Sequence, residues 1–360
     1  MIKKLIFFTP YLAPWNIDLL NFLNRNYNLF VVMYYVNAPE QKFNISLLLN
    51  RVEFRYKIVN GFDFFGRQIR FGLKSLYEIE NPDIVISHEF SLVSLVNSFY
   101  KLMNFYSYKH YVYSHDNLCS VKKMPLYRKV ARSIVIGGCD GLIVYTPKVK
   151  KYYQILYPKL TVMNCPNIQS FTNLNIENIK LLSNRNKLLY NLNCKKIHLY
   201  VGRLVKVKGV DYLIKAFHEV ADKDDVLVII GEGDERQYLE KLIIALNRSN
   251  SILMLGRYDQ DSLYSWYMSA DLFILPSIFE PFGAVVDEAL HFGLPVLCSK
   301  YAGASMYIDS SNGMIFDPLN LNNFIVKYEY FKRKFILNKT IIVKNKYSFT
   351  KSTSIFIDNL

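Results

Sequence analysis

Short, almost wholly apolar runs recur along the chain, separated by stretches in which apolar residues return every three or four positions. In the first half these runs are Lys4–Phe8, Leu29–Val36, Ile84–Ser87, Tyr111–Ser114, Gly141–Tyr145 and Leu160–Met163. In the second half they are His198–Val201, Val226–Ile230, Ile252–Leu255, Leu272–Leu275 and Val296–Cys298. Runs of this length without polar alternation predict strands buried on both faces. The helical spacing of Val210–Val220, Glu235–Leu246, Ser262–Met268 and Val285–Phe292 predicts the helices that cover them. Alternation of the two kinds of element means an α/β protein with parallel sheets. Gln169–Asn193, rich in Asn and Ser and without a long apolar run, is expected to separate two domains. The expected architecture is two Rossmann-like doubly wound domains facing each other across a cleft, where the C-terminal strand ends meet and ligands bind. Its boundaries are residues 1–168, an interdomain segment 169–195, a second domain 196–345, and a C-terminal helix 346–360 packing back on the first domain.

Length and composition agree with this division. A chain of 360 residues suits two domains of ~170 residues each, and an apolar fraction of 51% supplies their cores. Five scattered cysteines, odd in number and never in a Cys-x-x-Cys spacing, argue against a zinc site or a disulfide framework and fit a reducing cytoplasm. The apolar start, Met-Ile-Lys-Lys-Leu-Ile-Phe-Phe, is cut by Pro10 and reads as a first strand rather than a leader. No run reaches the ~20 apolar residues of a membrane span. Charge changes the picture more. Residues 1–180 hold 22 Lys/Arg against 11 Asp/Glu, a net of +11, and residues 181–360 hold 22 against 19, a net of +3. The excess gathers at Lys122, Lys123, Arg128, Lys129 and Arg132, and at Lys148, Lys150 and Lys151. It implies an acidic partner: a membrane with anionic lipids, a diphosphate-linked acceptor, or nucleic acid. No nucleic-acid module is apparent.

Two segments carry the chemistry. In Leu275-Pro-Ser-Ile-Phe-Glu280-Pro-Phe-Gly-Ala-Val-Val-Asp-Glu288, a strand runs into a loop and a helix opens near Ala284. A largely helical step from Glu280 to Glu288 spans about 10 Å, roughly the distance from the sugar to the ribose of a nucleotide diphosphosugar. One carboxylate can hold sugar hydroxyls and the other ribose hydroxyls, while the free N–H groups of the helix start face the diphosphate. In Tyr200-Val-Gly-Arg203-Leu-Val-Lys-Val-Lys208-Gly, two cations follow a buried strand end. Arginine offers a planar fork to phosphate oxygens and lysine a movable point charge. Lys206, between them, is expected to face away.

Taken together, residues 197–317 resemble the donor domain of the retaining glycosyltransferases of family 4, which have the GT-B architecture. The resemblance rests on Val201-Gly-Arg203…Lys208-Gly, Gly231-Glu-Gly233, Leu255-Gly256-Arg257, Ala270-Asp-Leu-Phe-Ile-Leu-Pro-Ser277, Glu280-x7-Glu288 and Gly293-Leu-Pro-Val296. The first half is similar more weakly, through Ser114-His115-Asp116 and Pro166-Asn167. The resemblance implies that Arg203 and Lys208 bind the donor diphosphate and stabilise it on departure. It implies that Glu280 holds the sugar, Glu288 the ribose, and Phe282, Gly283 and Ala284 offer backbone N–H groups. Arg257 and Tyr258 would border the nucleobase, and His115 would stand near the sugar, so the catalytic set is Glu280, Lys208, Arg203 and His115. The co-substrate would be a UDP- or GDP-sugar, the first domain would bind a saccharide or lipid-linked acceptor, and no metal or other cofactor is expected. Departures from the family pattern are Pro10-Tyr-Leu-Ala-Pro14-Trp15, where relatives carry glycines, and Met306, where they commonly carry glutamate. Asp259-Gln-Asp261 mimics a metal motif of another fold, and Asp261 is expected to be a helix N-cap instead.

The functional expectation is a retaining glycosyltransferase of cell-surface polysaccharide or glycolipid synthesis, cytoplasmic and peripheral on the inner membrane face. The alternatives are a nucleotide-sugar epimerase of the same architecture, and a basic membrane- or nucleic-acid-binding protein with a vestigial donor site.

Overall fold

The computed structural model describes residues 2–38, 43–122, 124–171, 174–336, 349–358 and 360. Lys123 and the expected boundary at 345/346 lie outside the described residues. Two compact units form, Met1–Gln169 with Phe349–Leu360, and Ser170–Ser348.

The first unit is built on a seven-stranded sheet in the spatial order Arg55–Ile58, Asn28–Met33, Lys4–Thr9, Ile84–His88, Lys109–Ser114, Gly141–Val144, Thr161–Asn164. Every pairing in it is parallel. The central strands are buried along nearly their whole length, as their apolar sequences require. The expected strand Leu29–Val36 is observed as Asn28–Met33 because the chain then curls. The N–H groups of Tyr34 and Tyr35 both donate to the Pro10 carbonyl, at 3.0 and 2.8 Å. Helix Phe349–Ile357 belongs to this unit, with the Phe349 ring edge-on to Phe22 at 5.9 Å.

The second unit has a six-stranded parallel sheet in the order Ile252–Gly256, Asp225–Ile230, Lys196–Val201, Leu272–Leu275, Val296–Ser299, Gly313–Phe316. Its core joins Tyr200, Leu213, Phe217, Leu227, Ile274 and Phe324 beneath helices Val210–Val220 and Leu321–Phe335. The segment expected to be an interdomain linker holds helix Ile176–Leu189, which packs on helix Gln260–Ser269 inside this unit. Its contact is polar, which explains the missing apolar period. Ser183 meets the Ser269 hydroxyl at 2.8 Å, Asn178 donates to Asp261 at 2.8 Å, and Asn186 donates to Ser265 at 2.9 Å.

Both sheets reverse their winding at one point. In the first, strands are added to one side of Lys4–Thr9 and then, from Ile84–His88 onward, to the other. In the second the reversal falls between Lys196–Val201 and Leu272–Leu275. At such a switch point the two connections leave in opposite directions and open a crevice beyond the strand ends. The loops there are Gly202–Gly209 and Pro276–Gly283 in the second unit. In the first, Pro10 and Glu89 begin them.

Candidate active site

The second unit's switch point gathers most of the residues singled out in the sequence. After strand Lys196–Val201 the chain passes Arg203, makes a short 3-10 turn Lys206–Lys208, and enters helix Val210–Val220. Gly209, at φ 63°, makes that entry, and a Cβ there would lie 2.6 Å from the Pro276 carbonyl oxygen. The tight approach lets the Val207 carbonyl accept from the N–H groups of Ile278 and Phe279, at 2.9 and 3.3 Å. The two loops are stitched together by backbone, and their side chains meet as a result. Lys208 Nζ pairs with Glu280 Oε2, and both side chains are largely buried. Arg203 sits half-buried on the same loop, its carbonyl accepting from Tyr200 Oη at 3.1 Å. Burial raises the Tyr200 phenol far above its ordinary value, with the Glu280 charge adding to the shift and Arg203 opposing it. Both charges therefore act on one buried hydroxyl.

Glu280 is fixed by its own backbone as well. It forms a bridge with Ala302, its carbonyl accepts from Gly303 at 3.1 Å, and the Phe282 carbonyl accepts from Ala304 at 2.6 Å. Gly283, at φ 95°, turns the chain into helix Ala284–His291. Only the second half of the step from Glu280 to Glu288 is thus helical, because Pro281 to Gly283 form the loop. The helix starts at the switch point, so its positive dipole end lies there with Lys208 and Arg203. Phe282 is buried edge-on against Tyr307 at 5.7 Å and anchors the loop. One turn into the helix, Glu288 is buried and accepts a hydrogen bond from Tyr267 Oη at 2.7 Å. Burial, reinforced by the Glu288 charge, holds the Tyr267 phenol protonated well above its usual range.

Arg257 and Tyr258 follow strand Ile252–Gly256, two strands along the same C-terminal edge. Arg257 pairs with Asp259 at 3.1 Å, and the Tyr258 ring stands edge-on to Trp266 at 5.9 Å. The N-cap of the following helix Gln260–Ser269 is Asp259, not Asp261 as the sequence suggested. Asp261 lies within the first turn and accepts from Asn178 instead. Met306 falls in the 3-10 turn Gly303–Tyr307, beside the Glu280 bridge. The Ser277 hydroxyl, in the loop between the strand and Glu280, is fully buried and has no partner among the described residues.

His115 belongs to the first unit. It follows strand Lys109–Ser114, stacks on Tyr145 at 4.7 Å and meets His88 edge-on at 4.6 Å. Its backbone N–H donates to Glu89 at 2.7 Å. His88 and Glu89 escaped the sequence reading, yet a signal existed. Ser87-His88-Glu89 and Ser114-His115-Asp116 are the same pattern at the ends of two paired strands, with His88 registered opposite Tyr113. One ligand atom from each of His88, Glu89 and His115 lies within 4.8 Å of the others, so these three could hold a metal ion. The sequence reading expected no such set, because only His115 stood out in it. Burial, and then the Asp116 charge, push Glu89 up to about 7. Asp116 itself is held by Arg132 and by Tyr153 Oη, the latter at 2.6 Å.

The histidines predict the acid response of the fold. Burial lowers His88, His110, His115, His198 and His291, with His110 down to about 3 and His115 to about 4. A histidine depressed in the folded state binds protons preferentially when unfolded, so stability falls as pH drops from 6.5 toward the folded value. Glu89, raised, acts oppositely between 4.5 and 7, but it is one group against five. The melting temperature should be several degrees lower at about pH 5 than at about pH 7.5. A thermal melt showing equal or greater stability at the lower pH would contradict this account.

Comparison with known proteins places the fold. Anabaena HepE, solved in complex with UDP, superposes with a TM-score of 0.76, covering 99% of this chain and 98% of that one at 15% identity. The fold is that of the GT-B glycosyltransferases. Residues 185–338 match the family described as glycosyl transferases group 1, a span that lies in the second unit and includes Arg203, Lys208, Glu280 and Glu288. An uncharacterized glycosyltransferase of Methanocaldococcus jannaschii is 40% identical over 128 residues, 35% of this chain and 33% of that protein. One from Haemophilus influenzae is 28% identical over 242 residues, 66% of this chain and 61% of that protein. The chain thus spans between 33% and 61% of the length of these two curated relatives.

Proposed function

We propose that the protein is a retaining, metal-independent glycosyltransferase of the family 4 type, moving a sugar from a UDP- or GDP-linked donor to a saccharide or lipid-linked saccharide. The observation that carries this is the pairing of Lys208 with Glu280 at the switch point where helix Ala284–His291 begins. A departing nucleoside diphosphate leaves an oxocarbenium-like carbon and needs cations and N–H dipoles already aimed at it. Arg203, Lys208 and the N–H groups of Gly283 and Ala284 are that set. In the resting protein Glu280 occupies Lys208. Donor phosphate takes over the lysine, and the freed carboxylate accepts the sugar hydroxyls. Glu288, oriented by Tyr267, accepts the ribose hydroxyls, and Arg257 with Tyr258 borders the base. HepE, of the same fold, is solved with UDP and with UDP-glucose, which favours a uridine donor.

Glu280 and Glu288 lie along the donor rather than astride one bond, where a double displacement would want two carboxylates ~5 Å apart. Same-face attack is therefore favoured, with the leaving phosphate accepting the acceptor's proton. The product from an α-linked donor should be α-linked, and chelator should leave the rate unchanged. Product NMR showing a β-linkage, or a trapped glycosyl–Glu280 adduct, would overturn the mechanism. The basic first half is assigned to the inner membrane face, where helix Leu126–Gly137 exposes Leu126, Tyr127, Val130 and Ile134 beside Arg128 and Lys129. No helix among the described residues is long and apolar enough to cross a membrane. The epimerase reading needs an acid/base set, and the nearness of His88, Glu89 and His115 is what favours it. Conversion of a nucleotide sugar to its epimer without acceptor would decide for that reading.

A further inference from the structure

Residues Gly61–Phe64 and Arg67–Arg70 form an antiparallel ribbon that belongs to neither large sheet. Phe65 and Gly66 connect the strands, both with positive φ, 46° and 69°, the conformation of a tight two-residue hairpin turn. The register places Phe62 opposite Ile69 and Phe64 opposite Arg67. One face therefore carries Phe62, Phe64, Arg67 and Ile69, and the other Asp63, Gln68 and Arg70.

The second of these faces holds the ribbon in place. Arg70 is buried, donates to Asp63 at 3.0 Å and to the Phe62 carbonyl at 3.2 Å, and lies over the rings of Tyr34 and Tyr35 at 5.2 and 4.9 Å. The Tyr35 hydroxyl closes on Asp63. The first face is left apolar and open. Phe62 is 50% exposed, Phe64 56%, Phe71 55% and the tip residue Phe65 91%. The rings meet one another, Phe64 with Phe65 at 4.6 Å and Phe62 with Phe71 at 5.9 Å. A rigidly anchored ribbon that spends four aromatic rings on solvent is unexplained by folding, since burial of each ring would favour a compact state.

We propose that this hairpin is a wedge that inserts its phenylalanine tip into the headgroup–acyl boundary of an anionic bilayer. Charge selects that occupant. Exposed Arg67 stands beside Phe64, exposed Lys57 lies on the adjoining strand, and helix Leu126–Gly137 of the same unit exposes Arg128 and Lys129. Continuity supports it. Helix Leu92–Leu102 packs on strand Arg67–Arg70 and exposes Phe99 and Leu102, and helix Leu126–Gly137 packs beside it in turn. Amphipathic elements with aromatic tips and basic flanks bind such interfaces by apolar burial plus attraction to anionic lipid. The inference rests on the membrane side of the proposed function and not on its transfer chemistry.

The test uses the full chain with vesicles of phosphatidylglycerol and phosphatidylcholine, and with phosphatidylcholine alone. The native protein should co-sediment with the anionic vesicles and much less with the neutral ones. Phe64→Ser with Phe65→Ser should lower that partition roughly tenfold while the melting temperature stays unchanged, because both side chains are outside the core. Phe65→Trp should show a blue-shifted emission with anionic vesicles. Native binding with an unaffected double variant, or no spectral shift, overturns the wedge but leaves the membrane reading standing. No binding of the native chain to either vesicle overturns both. Self-association without lipid that the double variant abolishes would assign the hairpin to a second copy instead, and would also overturn the proposal.

Discussion

Replacing Lys208 with alanine should cut transferase turnover by ~10²- to 10³-fold, the usual cost of removing one preorganised group that stabilises developing charge. The lysine does two things in the geometry described. It pairs with Glu280 in the structure, and in the proposed mechanism it meets the leaving phosphate during transfer. Alanine removes both, and the 3-10 turn that carries it is held by Gly209 and by the Val207 carbonyl, so the fold should persist. Glu280→Gln should behave differently. It keeps a hydrogen-bonding group for the sugar but loses the charge, and should lower turnover less than Glu280→Ala. Steady-state kinetics on soluble variants with native melting temperatures separates these cases. Near-native turnover of Lys208→Ala would remove the lysine from the mechanism.

The second large effect is structural. Gly231→Ala should destabilise the second unit by more than about 3 kcal/mol, a large part of the ~5–15 kcal/mol that holds a domain folded. Gly231 ends strand Asp225–Ile230 at φ 149°, and a Cβ there would lie 1.8 Å from the carbonyl oxygen of Gly202. The neighbour is backbone and cannot rotate away. Relief would have to move the start of the Gly202–Gly209 loop, and with it Arg203 and Lys208. Loss of soluble protein, or a steep fall in melting temperature with loss of nucleotide binding, is expected. Gly137→Ala is the control, since an added methyl there meets nothing within 4 Å at the end of an exposed helix. A Gly231→Ala protein as stable as the control would contradict the close approach.

Much of this was legible in the sequence because buried parallel strands leave an unambiguous trace. Leu272–Leu275 and Val210–Val220 fall where periodicity put them, and every core strand of the second sheet but Gly313–Phe316 was anticipated. Elements without apolar contrast were not. Strand Arg55–Ile58 is an exposed edge with alternating charges, and helix Ile176–Leu189 docks through hydroxyl and amide groups, so neither shows an apolar period. The residues proposed to hold the donor could be read because Arg203, Lys208 and Glu280 follow directly from two strand ends in a compact motif. Their partners could not. Tyr267 reaches Glu288 from a different helix, and Glu89 reaches His115 from the neighbouring strand, contacts that exist only once the sheet order is known. Asp259 displaced Asp261 as N-cap by a two-residue shift in the helix start, below what periodicity resolves.

The most direct measurement is titration calorimetry of the native chain with UDP, GDP and inorganic phosphate, repeated on Arg203→Ala and Glu288→Ala. The account predicts saturable binding of one nucleoside diphosphate, negligible binding of phosphate alone, and weaker nucleotide binding in both variants. Native protein that takes up no nucleoside diphosphate, or variants that bind as tightly as the native chain, would contradict a donor site at this sheet edge.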